Sequence, residues 1–550
     1  MAAPMKTPGV YIVEKDAFPN SAVEVATAVP AFIGHTEKAE IKGKSLTNQP
    51  VRLSSLAEYL SLFGGAPKTT FSLSKNAGSS GASASASASS ADSEEGSEAA
   101  PAAASAASAT PPTITIKGQG YDVDPKTKDY LFFNAIRLFF ENGGGPCYIV
   151  SVGDYNTDYE LDRMRGGLNG LIREQEPTMI IIPEAIKLKE PDCITLQQAM
   201  LAHCGGKMKN RVAILDIYNG YLGRQPDYDP IAEFRNNIGV NYLDFSAAYY
   251  PWVHTTIVQD NAVSYENVDK ESISVLQELL KTELIAPLDD ELGKLKPGDA
   301  EDDARKVKLE ELKTAYDGYI TQLSADDLTD VQKSSLNKAL LQLSPSFRQI
   351  VAEIKLQLNL LPPSAAMAGV ITMVDNERGV WKAPANVSLS SVVQPAVDIT
   401  HDEQEDLNVT PQGKSINAIR SFISEGTLVW GARTLDGNSL DWRYLQVRRT
   451  IIMLEESIKL AAKAYVFENN VANTWVTMKG MINNFLTSIW KRGGLAGTTP
   501  ESAFLVSVGL GETMTPEDIL EGILRITVKV ALVRPAEFIE ITFQQKMQES

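Results

Sequence analysis

Four histidines and three cysteines are the side chains best suited to chemistry in this chain, and their spacing argues against catalysis. His35, His203, His254 and His401 form no HExxH pair for zinc, and no GxSxG turn raises a serine nucleophile. Cys147, Cys193 and Cys204 fit neither the paired spacing of a zinc site nor a disulfide framework, so they read as small buried thiols in a reducing compartment. His203-Cys204, at a predicted helix end, reads as packing rather than as a base and nucleophile. Gly143-Gly144-Gly145 precedes a strand instead of a helix, so it offers no helix N–H groups to a phosphate and reads as a helix stop. The acids Asp402, Glu403, Glu405 and Asp406 lack the glycine and ligand spacing of a calcium loop and are predicted to be an exposed acidic loop. Arg433 and Arg448-Arg449 are open between buried ion pairs and contacts to an acidic neighbour. No metal and no cofactor follow from these residues. The alternative function is an α/β hydrolase-like enzyme with a triad assembled in space.

The elements that would carry any site come in an alternating series. Val23, Val25, Thr27 and Val29 alternate into Pro30–Gly34, which reads as entry to a core sheet. Ser54 to Phe63 reads as a short helix capped by Ser54 or Ser55 and ended by Gly64-Gly65. Near-continuous apolar strands are predicted at Cys147–Val152, Thr178–Pro183, Val212–Asp216 and Phe245–Pro251. Helices are predicted before the first of them at Asp129–Phe140 and between them at Arg163–Glu174, Thr195–Cys204 and Pro230–Ile238. That alternation predicts an α/β fold with a largely parallel sheet covered on both faces. From Glu271 to Leu361 the period becomes helical, with Ile273, Leu276, Leu280 and Leu284 in one run and Phe347, Ile350, Ile354 and Leu358 in another. A charged helix is predicted near Glu301–Leu323. After Pro363 come a strand at Thr427–Thr434, two strong helices around Val447–Ala462 and Trp475–Ile489, and a strand at Ala503–Val508. Thr515-Pro516-Glu517-Asp518 is a capped helix start. Ser72 to Pro112 holds almost nothing but Ser, Ala and Gly with a few acids, and is predicted to be a disordered surface loop.

The expected organisation is therefore an N-terminal arm (1–22), an α/β core (23–264, with the 72–112 loop), a helical insertion (265–361) and the remainder of the core (362–434). A C-terminal α+β domain (435–534) and a C-terminal arm (535–550) complete it. The whole chain is 550 residues, with a net charge of −18. Such acidity argues against a nucleic-acid partner, which needs clustered Lys and Arg. No apolar run approaches the length of a membrane span, and the first residues lack the apolar core of a signal peptide, so synthesis in the cytoplasm is expected.

Both ends of the chain carry strands where tails are normally frayed and polar. Leu524, Ile526, Val528, Val530 and Leu532 alternate with polar neighbours until Arg534-Pro535 interrupts the pattern. Ile539, Ile541 and Phe543 then alternate with Phe538, Glu540 and Thr542. No tight-turn dipeptide joins the two runs, so the second is expected to leave the domain and to pair with a neighbouring molecule. At the other end, Thr7-Pro8-Gly9 leads into Val10, Tyr11, Ile12 and Val13. Burying Ile539, Ile541 and Phe543 in a partner's sheet would contribute roughly 5–9 kcal/mol before the entropy of association is deducted.

Several stretches resemble the sheath proteins of contractile injection systems, the phage-tail-sheath family, and most of all those of the antifeeding-prophage type. They include Thr7–Ile12, Ala28–Gly34, Asn142–Tyr148, Pro363–Gly369, Gly379–Asn386, Lys414–Arg420, Leu428–Leu435, Gly509–Met514 and Val533–Phe538. The Ser/Ala-rich loop departs from the family pattern, and the 271–361 region resembles it only weakly. The resemblance implies a subunit of stacked six-membered rings that surround an inner tube and contract to drive it through a target envelope. It also implies arms that add strands to sheets of neighbouring subunits: Val10, Tyr11, Ile12 and Val13 at one end, and Phe538, Ile539, Ile541 and Phe543 at the other. The host sheet would use Phe504, Val506, Ile526, Val528 and Val530. Lys479, Lys491 and Arg492 are candidates for touching the tube. The implied partners are further copies of the chain, sister sheath isoforms, the inner tube protein, and baseplate and terminal cap proteins. No nucleic acid and no membrane insertion are implied. The particle would be assembled in the cytoplasm and released, or form a virion tail.

Overall fold

The computed structural model describes residues 22–76, 113–296, 299–538 and 540. Two compact units share the chain: 1–64, 135–253 and 362–550 in the first, 65–134 and 254–361 in the second.

The first unit is built on a nine-stranded sheet. Its spatial order is Val387–Ser388, Gly426–Trp430, Asn417–Phe422, Ser246–Tyr250, Val212–Asp216, Met179–Ile181, Pro30–Gly34, Cys147–Ser151 and Val51–Leu53. The six strands from Asn417–Phe422 to Cys147–Ser151 pair in parallel, while the pairings at both ends are antiparallel. The predicted α/β class is what forms. Parallel strands need covered faces, and the central strands Pro30–Gly34, Cys147–Ser151, Met179–Ile181, Val212–Asp216 and Ser246–Tyr250 are buried at every residue. Helix ends follow local chemistry: Ser55 caps Leu56–Phe63 by accepting from the Glu58 N–H, and Gly64 ends that helix at φ +83°.

A second focus of this unit lies near the C-terminus. Helices Leu445–Ala462 and Ala472–Lys491 pack Met453, Leu454, Met481, Ile482, Phe485 and Ile489 into one apolar cluster. The predicted capped start at Thr515 is present as a reciprocal capping box with Asp518. The acidic run departs from expectation: Thr400 and Glu403 cap each other, so His401–Asn408 is a helix and not a loop.

The second unit pairs helices with a small antiparallel sheet of order Phe71–Lys75, Gln119–Pro125, Ile114–Ile116. The 265–361 stretch is therefore no self-contained helical insertion. Its helices bury Leu276, Leu280, Phe347, Ile350 and Ile354 against Phe71, Leu73, Tyr121 and Val123 of that sheet, which lie in the expected core segment. Ser72–Lys75 form a strand rather than the start of the predicted loop, and 77–112 lie outside the described residues. Lys75 and Ile114, at either edge of that gap, face the same residue, Tyr121, from opposite sides.

Candidate subunit-linking site

Of the chemistry-bearing side chains, His35, His203 and the three cysteines are buried, His254 is half-buried and His401 is exposed. His35 and Glu184 are both fully buried, with His35 Nδ1 2.7 Å from Glu184 Oε2. Burial pushes the thiols of Cys147 and Cys204 up to about 12, the reverse of what a nucleophile needs. His203 is held down at about 4 by burial and by Arg211, whose Nη1 lies 3.5 Å away. Asp216 is pushed up to about 7 by burial, against the Ser364 N–H at 2.9 Å and the Ser364 hydroxyl, both of which donate to it. Among the described residues no group of His, Cys, Asp or Glu is placed to hold a metal ion. None of their helices is long and apolar enough to cross a membrane.

The three arginines left open by the sequence are buried and form ion pairs. Arg449 forks onto both oxygens of Asp375 (2.9 and 2.5 Å) and donates to Thr27 O at 2.9 Å. Arg448 pairs with Asp244 and stacks between the rings of Trp442 and Phe245, 3.7 and 4.3 Å from their centroids. Arg433 forks onto Glu537.

Near the C-terminus, Phe504–Ser507 and Thr527–Val530 form a two-stranded antiparallel ribbon that pairs Phe504 with Val530 and Val506 with Val528. Period two gives it two unlike faces. Phe504, Val506, Val528 and Val530 pack toward the cluster of helix Ala472–Lys491, joined by Ile526 and Leu532. Leu505, 54% exposed, and Lys529 face away. The second strand is shorter than the predicted Leu524–Val533. Gly522 turns the chain at φ +73°, and Arg525 is tied to Asp518 at 3.0 Å, so Ile526 sits just before the strand. Among the described residues no third strand lies along either long edge; only a bridge between Leu495 and Leu532 follows Val530. Two strands alone are marginal, and open edges invite a further strand.

Both ends of the described chain arrive close to helix Leu445–Ala462. On the N-terminal side, Val25 N–H donates to the buried Ser457 hydroxyl at 3.1 Å, Thr27 O accepts from Arg449, and Glu24 pairs with Arg492. On the C-terminal side, Tyr444, the residue preceding that helix, donates to Glu537 at 3.1 Å. Val10, Tyr11, Ile12, Val13, Ile539, Ile541 and Phe543 lie outside the described residues, and Phe538 is 77% exposed. Of the candidates for tube contact, Lys491 is exposed at the end of its helix and Lys479 is half-buried. Arg492 is engaged with Glu24 and lies 4.9 Å from the Trp381 ring centroid. Sequence reasoning missed Ser457, Tyr444 and the partner of Arg433, since no local pattern signals contacts between residues 93 to 432 apart in the chain.

Comparison with known proteins gives likenesses in sequence and in fold. Residues 438–546 match the family model of the phage tail sheath C-terminal domain. The tail sheath protein of Vibrio phage KVP40 is 27% identical over 138 residues, which span 24% of this chain and 20% of that relative. Among solved structures, a chain of the anti-feeding prophage baseplate, 6-fold symmetrised, is 26% identical, with a TM-score of 0.54 over 99% of this chain and 100% of that one. The sheath complex of an extracellular contractile injection system in its contracted state has a TM-score of 0.56 and 24% identity over 99% of each chain, a likeness in fold.

Proposed function

We propose that this chain is the structural subunit of a contractile sheath, polymerising as stacked six-membered rings around an inner tube and shortening to drive that tube outward. The observation that carries this reading is the open ribbon of Phe504–Ser507 and Thr527–Val530, with both ends of the described chain held beside the same helical pair. The 26% identity to a chain of a six-fold baseplate assembly along its whole length supports a ring of six. In this reading Val10–Val13 and Phe538–Phe543 are arms that add strands to the ribbons of neighbouring subunits. Phe504, Val506, Ile526, Val528 and Val530 are the host. One arm gives a modest link after association entropy, whereas two arms per subunit repeated through a lattice hold by multivalency.

The protein then works without a cofactor and without catalysis; its energy source is an extended lattice relaxing to one with more buried contact. Lys479, Lys491 and Arg492 are candidate contacts to the inner tube, and sister sheath isoforms, baseplate and cap proteins are the remaining partners. The particle is assembled in the cytoplasm and works after release or as a virion tail.

Electron microscopy of the purified full chain tests the proposal: tubes or stacked rings are expected, and discrete monomers at every concentration would overturn it. Deleting 539–550, which spares Glu537, is expected to leave the melting temperature unchanged and to abolish tubes. Normal tubes from that truncation would remove the C-terminal arm from the proposal.

A further inference from the structure

Two stretches that lie far apart in the chain, around Arg433 and around Glu537, meet in an ion pair whose arginine is buried and whose carboxylate is partly so. Arg433 is 3% exposed. Its backbone is pinned on both sides by the fully buried Asn417, which accepts from Arg433 N–H at 2.7 Å and donates to Arg433 O at 2.8 Å. Its guanidinium is oriented by a hydrogen bond from Nη1 to Asn408 O at 2.8 Å. Nε and Nη2 remain as a planar fork, and they donate to the two carboxylate oxygens of Glu537 at 2.9 and 2.6 Å. Tyr444 adds its hydroxyl to the same carboxylate. Burial and this carboxylate both hold the Tyr444 phenol above its usual range, so it stays a donor. Ala536 and Phe538, on either side of Glu537, are exposed. The other side-chain tie nearby, Arg534 to Asp441 at 3.6 Å, joins two exposed groups and holds little.

We propose that Arg433 and Tyr444 form a carboxylate socket that fixes the point at which the C-terminal arm leaves its own subunit, so that tension on the arm passes into the nine-stranded sheet. Arg433 follows strand Gly426–Trp430, and Asn417 opens the neighbouring strand Asn417–Phe422. Without the socket, a pull on the arm would reach Val530 first and peel Thr527–Val530 from Phe504–Ser507 one hydrogen-bonded pair at a time. With it, the load meets a bidentate pair whose rupture would strand a buried cation, and the ribbon stays intact to host a neighbour's strand. This inference rests on the arm reading above.

Hydrogen exchange on the full-length unassembled protein, followed by mass spectrometry, tests the socket without requiring any tube. Glu537→Gln keeps the shape and removes the charge. Arg433→Met with Glu537→Met removes the cation together with its partner, so a folded variant is available even where the single change fails to fold. In both variants, exchange over 527–538 is expected to rise about tenfold or more, while peptides from Met179–Ile181 and Val212–Asp216 stay at the wild-type rate. Glu540→Gln is expected to change nothing. A folded double variant with wild-type exchange over 527–538 would overturn the socket. Failure of the sheath reading looks different: the wild-type protein itself would form no tubes, whatever the exchange measurement returned.

Discussion

The nine-stranded sheet and the two-stranded ribbon belong to one compact unit and differ in how their edges end. The sheet stops at very short outer strands, Val387–Ser388 on one side and Val51–Leu53 on the other, and keeps its fully buried apolar strands in the middle. Short edges are a common means of blunting a sheet against unwanted pairing. The ribbon does the opposite: two four-residue strands, one face on helix Ala472–Lys491, and no third strand along either edge among the described residues. What closes the fold is thus separated from what leaves it open. A change in the sheet should act on folding, and a change at the ribbon or arms should act on assembly.

The largest effect expected from that contrast is in the sheet. Phe32 is fully buried in strand Pro30–Gly34, its ring 5.0 Å from that of Phe139. Phe32→Ala should cost about 3–5 kcal/mol, seen as a large drop in melting temperature with tubes lost as a secondary effect. A melt within a degree of wild type would break the comparison on the folding side. Next comes the arm: Ile541→Asp should suppress tube formation with an unchanged melt, and Glu540→Ala should leave tubes intact. Equal loss in the two variants would sink the alternation read for the arm.

The titrating groups of the first unit sharpen the folding side further. Asp216 has its folded pKa raised to about 7, so the folded state holds an extra proton above the unfolded carboxyl value of about 3.9; that stability is complete below pH ~4 and lost as pH rises through 7. His203 is lowered to about 4 from an unfolded value of about 6.5, so its contribution is present above pH ~6.5 and lost as pH falls through 4. The two slopes oppose each other between pH ~4 and 6.5, so the native protein should show a flat profile there. Asp216→Asn should expose the His203 slope and His203→Gln the Asp216 slope, of opposite sign and up to about 1.4 kcal/mol per pH unit in urea melts. Slopes of the same sign would refute the assignment. The smallest change is at Leu505, on the outward face of the ribbon: Leu505→Ser should shift stability by no more than about 0.5 kcal/mol while raising the protein concentration needed for tubes.

Much of this was legible from residue order. The apolar runs around Phe32, Ile149, Ile180, Ile214 and Ala248 announced a parallel sheet because strands buried on both faces leave no polar alternation to obscure them. The ribbon's Val528 and Val530 were visible through period two. The same period overreached to Leu524, since it is blind to a turn at Gly522. The acidic helix His401–Asn408 was missed for the reverse reason: its charges drew the eye from the Thr400 and Glu403 cap that starts it. The helices of 265–361 were readable, yet their partner sheet was not, because Phe71 and Tyr121 lie some 150 residues or more before them in the chain. Arg433 stood out as an oddly placed cation. Its partner 104 residues later did not, for no local spacing encodes an ion pair at that range.

The hairpin edges of the second unit carry one more consequence. Lys75 and Ile114 flank Tyr121 across one small sheet, so the chain leaves and returns at points two strand spacings apart, roughly 10 Å. Loop closure depends only weakly on how many residues lie between such fixed posts, each doubling adding about 0.6 kcal/mol. A foreign domain whose own termini lie a similar distance apart should therefore splice in at this place at little thermodynamic cost.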